Sequence, residues 1–338
     1  MKKYTIIFLT CFVCFKLSAQ QKPQYTQYIF NQYLLNPALS GIENYIDFKA
    51  GFRKQWSGIT DAPQTSFVSA HWALGDNHLW SNALTSFPEQ TGDPMDRNYT
   101  QNYTSSPAHH GMGVTVVQDK AGPLSRLDAN LTYAYHLQLS NSFNLSVGAA
   151  AGVSSIKLDV NALTFPDSQT DPALSNAIVS QLKPDLSIGI WLYGARVFAG
   201  ISAQQVLGQR LNFTNSDNYN LGKEVPHFFA TAGYKFFLDD QIAAIPSVMV
   251  KYVQPSPVSY DLNLKIAFKD KLWLGGSYRR DDSFAAMAGF NIGKMVNLTY
   301  SYDFTTSELN TVSNGSHEIV LGLLLNNIYK VPSYIKMW

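Results

Sequence analysis

Residues 124–139 alternate along most of their length. Leu127, Ala129, Leu131, Tyr133, Tyr135, Leu137 and Leu139 fall on one side, and Arg126, Asp128, Asn130, Thr132, His136 and Gln138 fall on the other. A period of two belongs to a β-strand with one apolar face. The same pattern returns at 258–268, where Tyr260, Leu262, Leu264 and Ile266 oppose Asp261, Asn263 and Lys265, and again at 296–304. Marking every such segment predicts strands near 46–56, 64–74, 110–119, 124–139, 142–158, 183–193, 195–204, 226–238, 242–253, 257–268, 271–281, 283–293, 296–304 and 316–325. The number is even, and most segments exceed the ~5–6 residues of ordinary strands and approach the ~9–11 that cross a bilayer at a tilt. The pattern therefore predicts an all-β fold, a transmembrane antiparallel β-barrel of about 14 strands over residues 46–325.

Connection lengths agree with a barrel that has tight turns on the periplasmic side and longer loops outside. Counted from a periplasmic N-terminus, the even-numbered connections are short: Ser140-Asn141, Gly194, Asp239-Asp240-Gln241, Lys269-Asp270 and Lys294-Met295. Long ones fall on the other side, at 159–182, 205–225 and 305–315. Residues 75–109 break the rule, as a long periplasmic loop or as the place of a further strand pair. A soluble two-sheet sandwich also alternates, but its inner faces favour Val, Ile and Leu. These faces carry Tyr and Phe near strand ends, as an interfacial girdle does. The opposite faces hold small or charged residues, among them Asp47, Lys49, Gly51 and Arg53, Asn144, Ser146 and Gly148, and Arg196, Gly200 and Ser202, which suits a water-contacting lumen. Inward charges read as nine cations (Lys49, Arg53, Arg126, Lys183, Arg196, Lys235, Lys251, Lys265, Arg279) against Asp47, Asp128, Asp185, Asp261 and Asp303, a weak cationic excess.

The chain of 338 residues opens with Met1-Lys2-Lys3, an apolar run from Tyr4 to Phe15, and Leu17-Ser18-Ala19 before Gln20-Gln21, which reads as a cleavable secretory signal over residues 1–19. Its removal takes both cysteines, Cys11 and Cys14, so the mature chain has neither disulfides nor thiolate metal sites. It also leaves 22 Lys and Arg against 24 Asp and Glu, without the cationic surplus that nucleic-acid binding needs. With 45 aromatic residues and little net charge the chain is not disordered. Residues 20–45 form an N-terminal segment, periplasmic or lumen-plugging, whose aromatic part Gln21–Leu39 is too apolar to float free and is expected to fold into the lumen and seal it, and residues 326–338 form a tail.

No nucleophile, acid or metal constellation emerges: the sequence has no GxSxG, HExxH, P-loop or dinucleotide fingerprint. His109-His110 reads as an exposed pair at a loop end, and His71 and His78 as rim or loop residues. The expectation is a protein that is not an enzyme and carries no cofactor or metal.

Several words in the sequence are specific. Pro23-Gln24-Tyr25-Thr26-Gln27-Tyr28-Ile29-Phe30-Asn31, then Leu35-Asn36-Pro37-Ala38 and Gly41, resemble the opening of the PorP/SprF family of outer-membrane proteins of the type IX secretion system. Arg53-Lys54-Gln55-Trp56-Ser57-Gly58, Ala62-Pro63-Gln64-Thr65, Asp171-Pro172-Ala173, Tyr302-Asp303-Phe304 and Ser316-His317-Glu318-Ile319 look like its later words, although Asp61 stands where the family's Gly is usual. The resemblance implies a bacterial outer-membrane location and a role in secretion. The partners it implies are a large surface adhesin, exported or anchored through its C-terminal targeting domain, and other components of the machine that also serves gliding motility. Candidate partner-binding residues are Tyr28, Asn36, Pro37, Arg53, Trp56, Asp171 and Pro172, with Arg210 and Asn212 from the connection 205–225. Each also has a structural reading: Asn36-Pro37 is a turn signal, and Trp56 fits a girdle position. The alternative function is a diffusion porin or small-solute transporter.

Overall fold

Alternation turns into a closed wall. The computed structural model describes residues 25–43, 45–75, 105–159, 162, 178–208, 224–239, 242–268, 271–293 and 295–327. Its strands are β1 (Ile46–Lys54), β2 (Gln64–Leu74), β3 (His109–Ala121), β4 (Leu124–Ser140), β5 (Phe143–Asp159), β6 (Ile178–Gly194) and β7 (Val197–Gln204). β8 runs over His227–Tyr234 and resumes as Phe236–Asp239; at the break, the Lys235 N–H donates instead to the Arg196 carbonyl across the neighbouring turn, at 2.8 Å. The rest are β9 (Ile242–Val253), β10 (Ser259–Phe268), β11 (Leu272–Arg279), β12 (Ser283–Ile292), β13 (Val296–Thr305) and β14 (Ser316–Leu325).

Each strand pairs antiparallel with the next, and β1 pairs with β14 from Ile46↔Leu325 to Lys54↔His317, which closes a barrel of 14 strands. Closure removes every free edge within the wall, the condition for β-structure in a bilayer. Leu74 pairs directly with His110, so no further strand pair lies in the wall between β2 and β3. Residues 76–104 of that connection lie outside the described residues, as do 1–24, 163–177, 209–223 and 328–338. β6 begins at Ile178 rather than 183, because Pro184, which interrupts the sequence pattern, is accommodated within the strand.

The outward faces are apolar and exposed around the whole barrel: Leu131, Val147, Ile201, Leu264, Leu274, Phe290 and Leu321 among others. Leu131, near the middle of β4, is 66% exposed. In a soluble protein such a surface is an aggregation hazard; against lipid it is the solvent-facing side. Leu131→Arg is therefore expected to cost about 2–4 kcal/mol of stability in lipid bilayers, measured by urea unfolding in vesicles, where an exposed soluble position would lose almost nothing.

Inward faces carry the small and polar residues. The acids Asp119, Glu224, Asp282 and Glu318 reach the lumen or its mouth in addition to those read from the pattern, and Glu43 is also buried, so the expected cationic excess is not there. The histidine reading is corrected as well. His109 faces inward and is buried, and only its neighbour His110 lies outside, bonded to the Tyr133 hydroxyl at 2.6 Å. His71 is likewise inside, 3.3 Å from Asp47.

Candidate functional site: a filled lumen and its mouth

Residues 25–43 occupy the lumen. Three short 3₁₀ turns, Gln27–Ile29, Gln32–Leu34 and Pro37–Leu39, fold them tightly enough to satisfy backbone groups locally. The last turn starts at Asn36, whose side-chain oxygen accepts from the Ala38 N–H at 3.0 Å, the turn that the Asn-Pro pair encodes. Tyr28, Ile29, Phe30, Leu35 and Leu39 are buried here; Phe30 stacks at 6.3 Å on Trp273 and Lys49 sits 4.9 Å from the Phe30 ring centre.

The segment is held at three levels. At the end of the barrel where β1 leads into 55–63 and β13 into 306–315, Arg53 bonds both Asp303 (2.7 Å) and Glu318 (2.9 Å). Thr26 joins them: its hydroxyl donates to Asp303 at 2.6 Å, its N–H donates to Glu318 at 2.8 Å, and the Arg53 guanidinium donates to its hydroxyl oxygen. The Gln27 side chain reaches the Glu318 carbonyl at 2.8 Å and accepts from Thr299. This network ties the segment to β1, β13 and β14, the seam where first and last strands meet.

At mid-lumen, Asn263 donates to the Tyr28 hydroxyl (2.6 Å), Asn31 to Ser69 (3.0 Å), and Tyr33 pairs with Thr132 (2.6 Å). The Asn36 amide bonds the Ile190 and Ile201 carbonyls at 3.1 and 3.2 Å, an approach open only because position 189 is glycine: a Cβ there would lie 1.9 Å from the Asn36 oxygen.

At the opposite end, the Ser40 carbonyl accepts from His136 (2.8 Å) and the Gly41 carbonyl from His109 (3.2 Å). The two imidazoles stack in parallel, 4.4 Å apart. Gly111 lies against this turn so closely that a Cβ would stand 1.9 Å from the Ser40 oxygen. Between the segment and the wall a cavity of about 70 Å³ remains, bordered by Tyr25, Tyr28 and Tyr33.

Four of the candidate residues, Tyr28, Asn36, Pro37 and Arg53, are thus buried and engaged within the chain. Trp56 is half-buried on the β1–β2 connection, where it leaves the strand with φ 45 and donates its N–H to Ser316 at 3.1 Å. Asp171, Pro172, Arg210 and Asn212 lie outside the described residues. Thr26, Gln27 and Glu318 are not among the residues that the sequence pattern points to, and Asp303 is there only as an inward charge, although each stands inside one of the motif words.

The mouth at the Arg53 end is lined by ion pairs. Arg126 bridges Asp128 (2.8 Å) and Glu224 (3.0 Å), and Arg279 bridges Asp261 (3.2 Å) and Asp282 (3.1 Å). Among the described residues no group of His, Cys, Asp and Glu is arranged to hold a metal ion.

A family model described as type IX secretion system membrane protein PorP/SprF matches residues 17–323. No curated protein matches the chain in sequence. Among solved structures the chain is similar to the Ralstonia pickettii toluene transporter TbuX, at 12% identity and TM-score 0.48, over 86% of this chain and 92% of that one. A Pseudomonas aeruginosa FadL homologue gives 10% and 0.45 over 89% and 94%. The Acinetobacter baumannii outer membrane protein Omp33 gives 8% and 0.43 over 83% and 99%.

Proposed function

Because the chain belongs to the PorP/SprF family of type IX secretion system membrane proteins, we propose that it is a non-enzymatic binding scaffold of the outer membrane, which holds a large secreted surface protein by its C-terminal targeting domain during export or afterwards. In this reading residues 1–19 direct export, the Arg53 end of the barrel faces outward, and other secretion components are further partners. The observation that carries it is the filled lumen. A diffusion pore needs an open path, and here residues 25–43 are hydrogen-bonded to the wall at three levels. What remains for function is the mouth at the Arg53 end, where the connections 160–177 and 205–226 emerge from a rigid wall. Loops on such scaffolds carry recognition.

The test is to tag a long connection, extract native membranes in mild detergent and identify what co-purifies. A large secreted protein near one-to-one is expected. Deleting residues 210–222 is expected to release it while the barrel still migrates as a folded, heat-modifiable species. Retention of the partner would count against docking at this connection, and a lone wild-type barrel against the scaffold reading as a whole.

A further inference from the structure

Strand register sorts the outward side chains into rows. One row at the Arg53 end runs through the direct pairs His317↔Lys54, Lys54↔Gln64, Gln64↔Lys120, Lys120↔Ser125, Ser125↔Lys157 and Lys157↔Ser180. Lys54, Lys120 and Lys157 thus stand on every second strand, β1, β3 and β5, with uncharged Gln64 and Ser125 between them. They point outward because their neighbours point in: Arg53 and Ile156 are buried, and Asp119 accepts from the inward Thr65. Strands ~4.8 Å apart place successive lysines ~10 Å from each other. All three are exposed, and among the described residues none forms an ion pair or a hydrogen bond through its side chain.

The row has a defined depth. One same-face step back along each strand, ~7 Å, comes a row that includes Ile319, Phe52, Leu127 and Leu182, and the next is apolar throughout from Leu321 and Ala50 to Val116 and Val153. The lysines therefore stand where the lipid-facing wall ends, at the level of the headgroups, where long cationic stems lie along apolar surface and raise their charge to water. Beside them the Tyr300 hydroxyl meets His317 Nδ1 at 2.7 Å, an aromatic of the kind that marks a membrane interface. Across the barrel the same end is aromatic instead, with Phe228 beside Tyr252 and Tyr278 beside Phe284, and the cation there, Arg280, is bonded to Asp281 at 3.0 Å. The connections above Lys54 and Lys120 bond to one another: Ser57 to Gly315 and Asn314, and the Gly122 N–H to the Asp61 carbonyl. Asp159 follows Lys157 on the same face and forms no ion pair with it.

We infer that this row binds the phosphate groups of anionic lipids in the leaflet at the Arg53 end. The inference goes beyond the scaffold reading and does not depend on it. Place and charge identify the occupant. The row lies at headgroup depth on a face whose apolar part meets lipid, and cations in a line match phosphates presented side by side by a bilayer surface. A secreted protein held at the mouth would approach from above this line, not from the plane of the membrane.

Native mass spectrometry of the delipidated, full-length barrel in mild detergent, titrated with phosphatidylglycerol or phosphatidylcholine, tests it. The wild type is expected to bind the anionic lipid more tightly. Lys54→Gln and Lys120→Gln are each expected to weaken that binding about fivefold, the contribution of one cation at an anionic membrane surface, and to leave phosphatidylcholine binding unchanged. Both positions are exposed, so the variants are expected to remain heat-modifiable. Arg280→Gln removes the same charge at the same end and is expected to change neither affinity. Lysine variants with wild-type affinity, or an equal loss in Arg280→Gln, would overturn the inference. So would lysine variants that keep the lipid and lose the secreted partner, which would make the row a protein contact. Selective lipid binding by a barrel that captures no secreted protein would support the inference and count only against the scaffold reading.

Discussion

Replacing Arg53 with methionine is expected to cost about 3–5 kcal/mol of stability and to free the N-terminal end of the lumen segment. Arg53 is 3% exposed and bonds Asp303 and Glu318 at once. Methionine fills much of its volume and leaves two carboxylates buried without their counter-charge, which is the costly half of breaking an ion pair. Thr26 and Gln27 lose their anchor because their own bonds go to the same two carboxylates and to the Glu318 carbonyl. Urea unfolding in vesicles and protease cleavage within 25–43 read the two effects. The triple variant Arg53→Met, Asp303→Asn, Glu318→Gln is expected to recover most of the loss, since the uncompensated charge is then gone. Equal loss in both variants would mean that packing, not charge, holds this end.

The second large effect is expected at Gly111. Valine there would put its Cβ 1.9 Å from the Ser40 oxygen and 2.8 Å from the Gly41 Cα, all backbone that cannot rotate out of the way. Overpacking of this kind costs typically 1–3 kcal/mol, and here the escape is specific: residues 40–41 must leave the wall, and with them go the bonds from His136 and His109. Gly111→Val is therefore expected to expose the segment to protease and to open an ionic current. Gly276→Ala, whose nearest neighbour would be 3.9 Å away, is the matched control and is expected to change neither.

The wall was legible in the sequence because a period of two is a local property: from 126 to 139 nearly every residue declares its face. Even the exceptions were local. Trp56 leaves its strand where its backbone takes φ 45, and β6 outlasts its sequence pattern because Pro184 is accommodated within the strand. The inward small residues were also visible, but periodicity does not say what they face. Gly148 and Ser146 read as surfaces for water, yet a Cβ on Gly148 would stand 2.6 Å from the Ala38 backbone, and Ser146 donates to the Ala38 carbonyl at 2.6 Å.

The site was less legible for the same reason. Thr26 meets Asp303 and Glu318 across 277 and 292 positions, and no spacing rule links them. The resemblance brought the right words together without their geometry. It suggested Arg53 as a partner contact, and the fold uses it to tie the lumen segment to the barrel seam.

Single-channel recording most directly distinguishes a filled scaffold from a pore. In planar bilayers the intact protein is expected to give no sustained conductance, and a variant lacking residues 25–43 to give an open channel. A large, stable conductance from the intact protein would contradict the account.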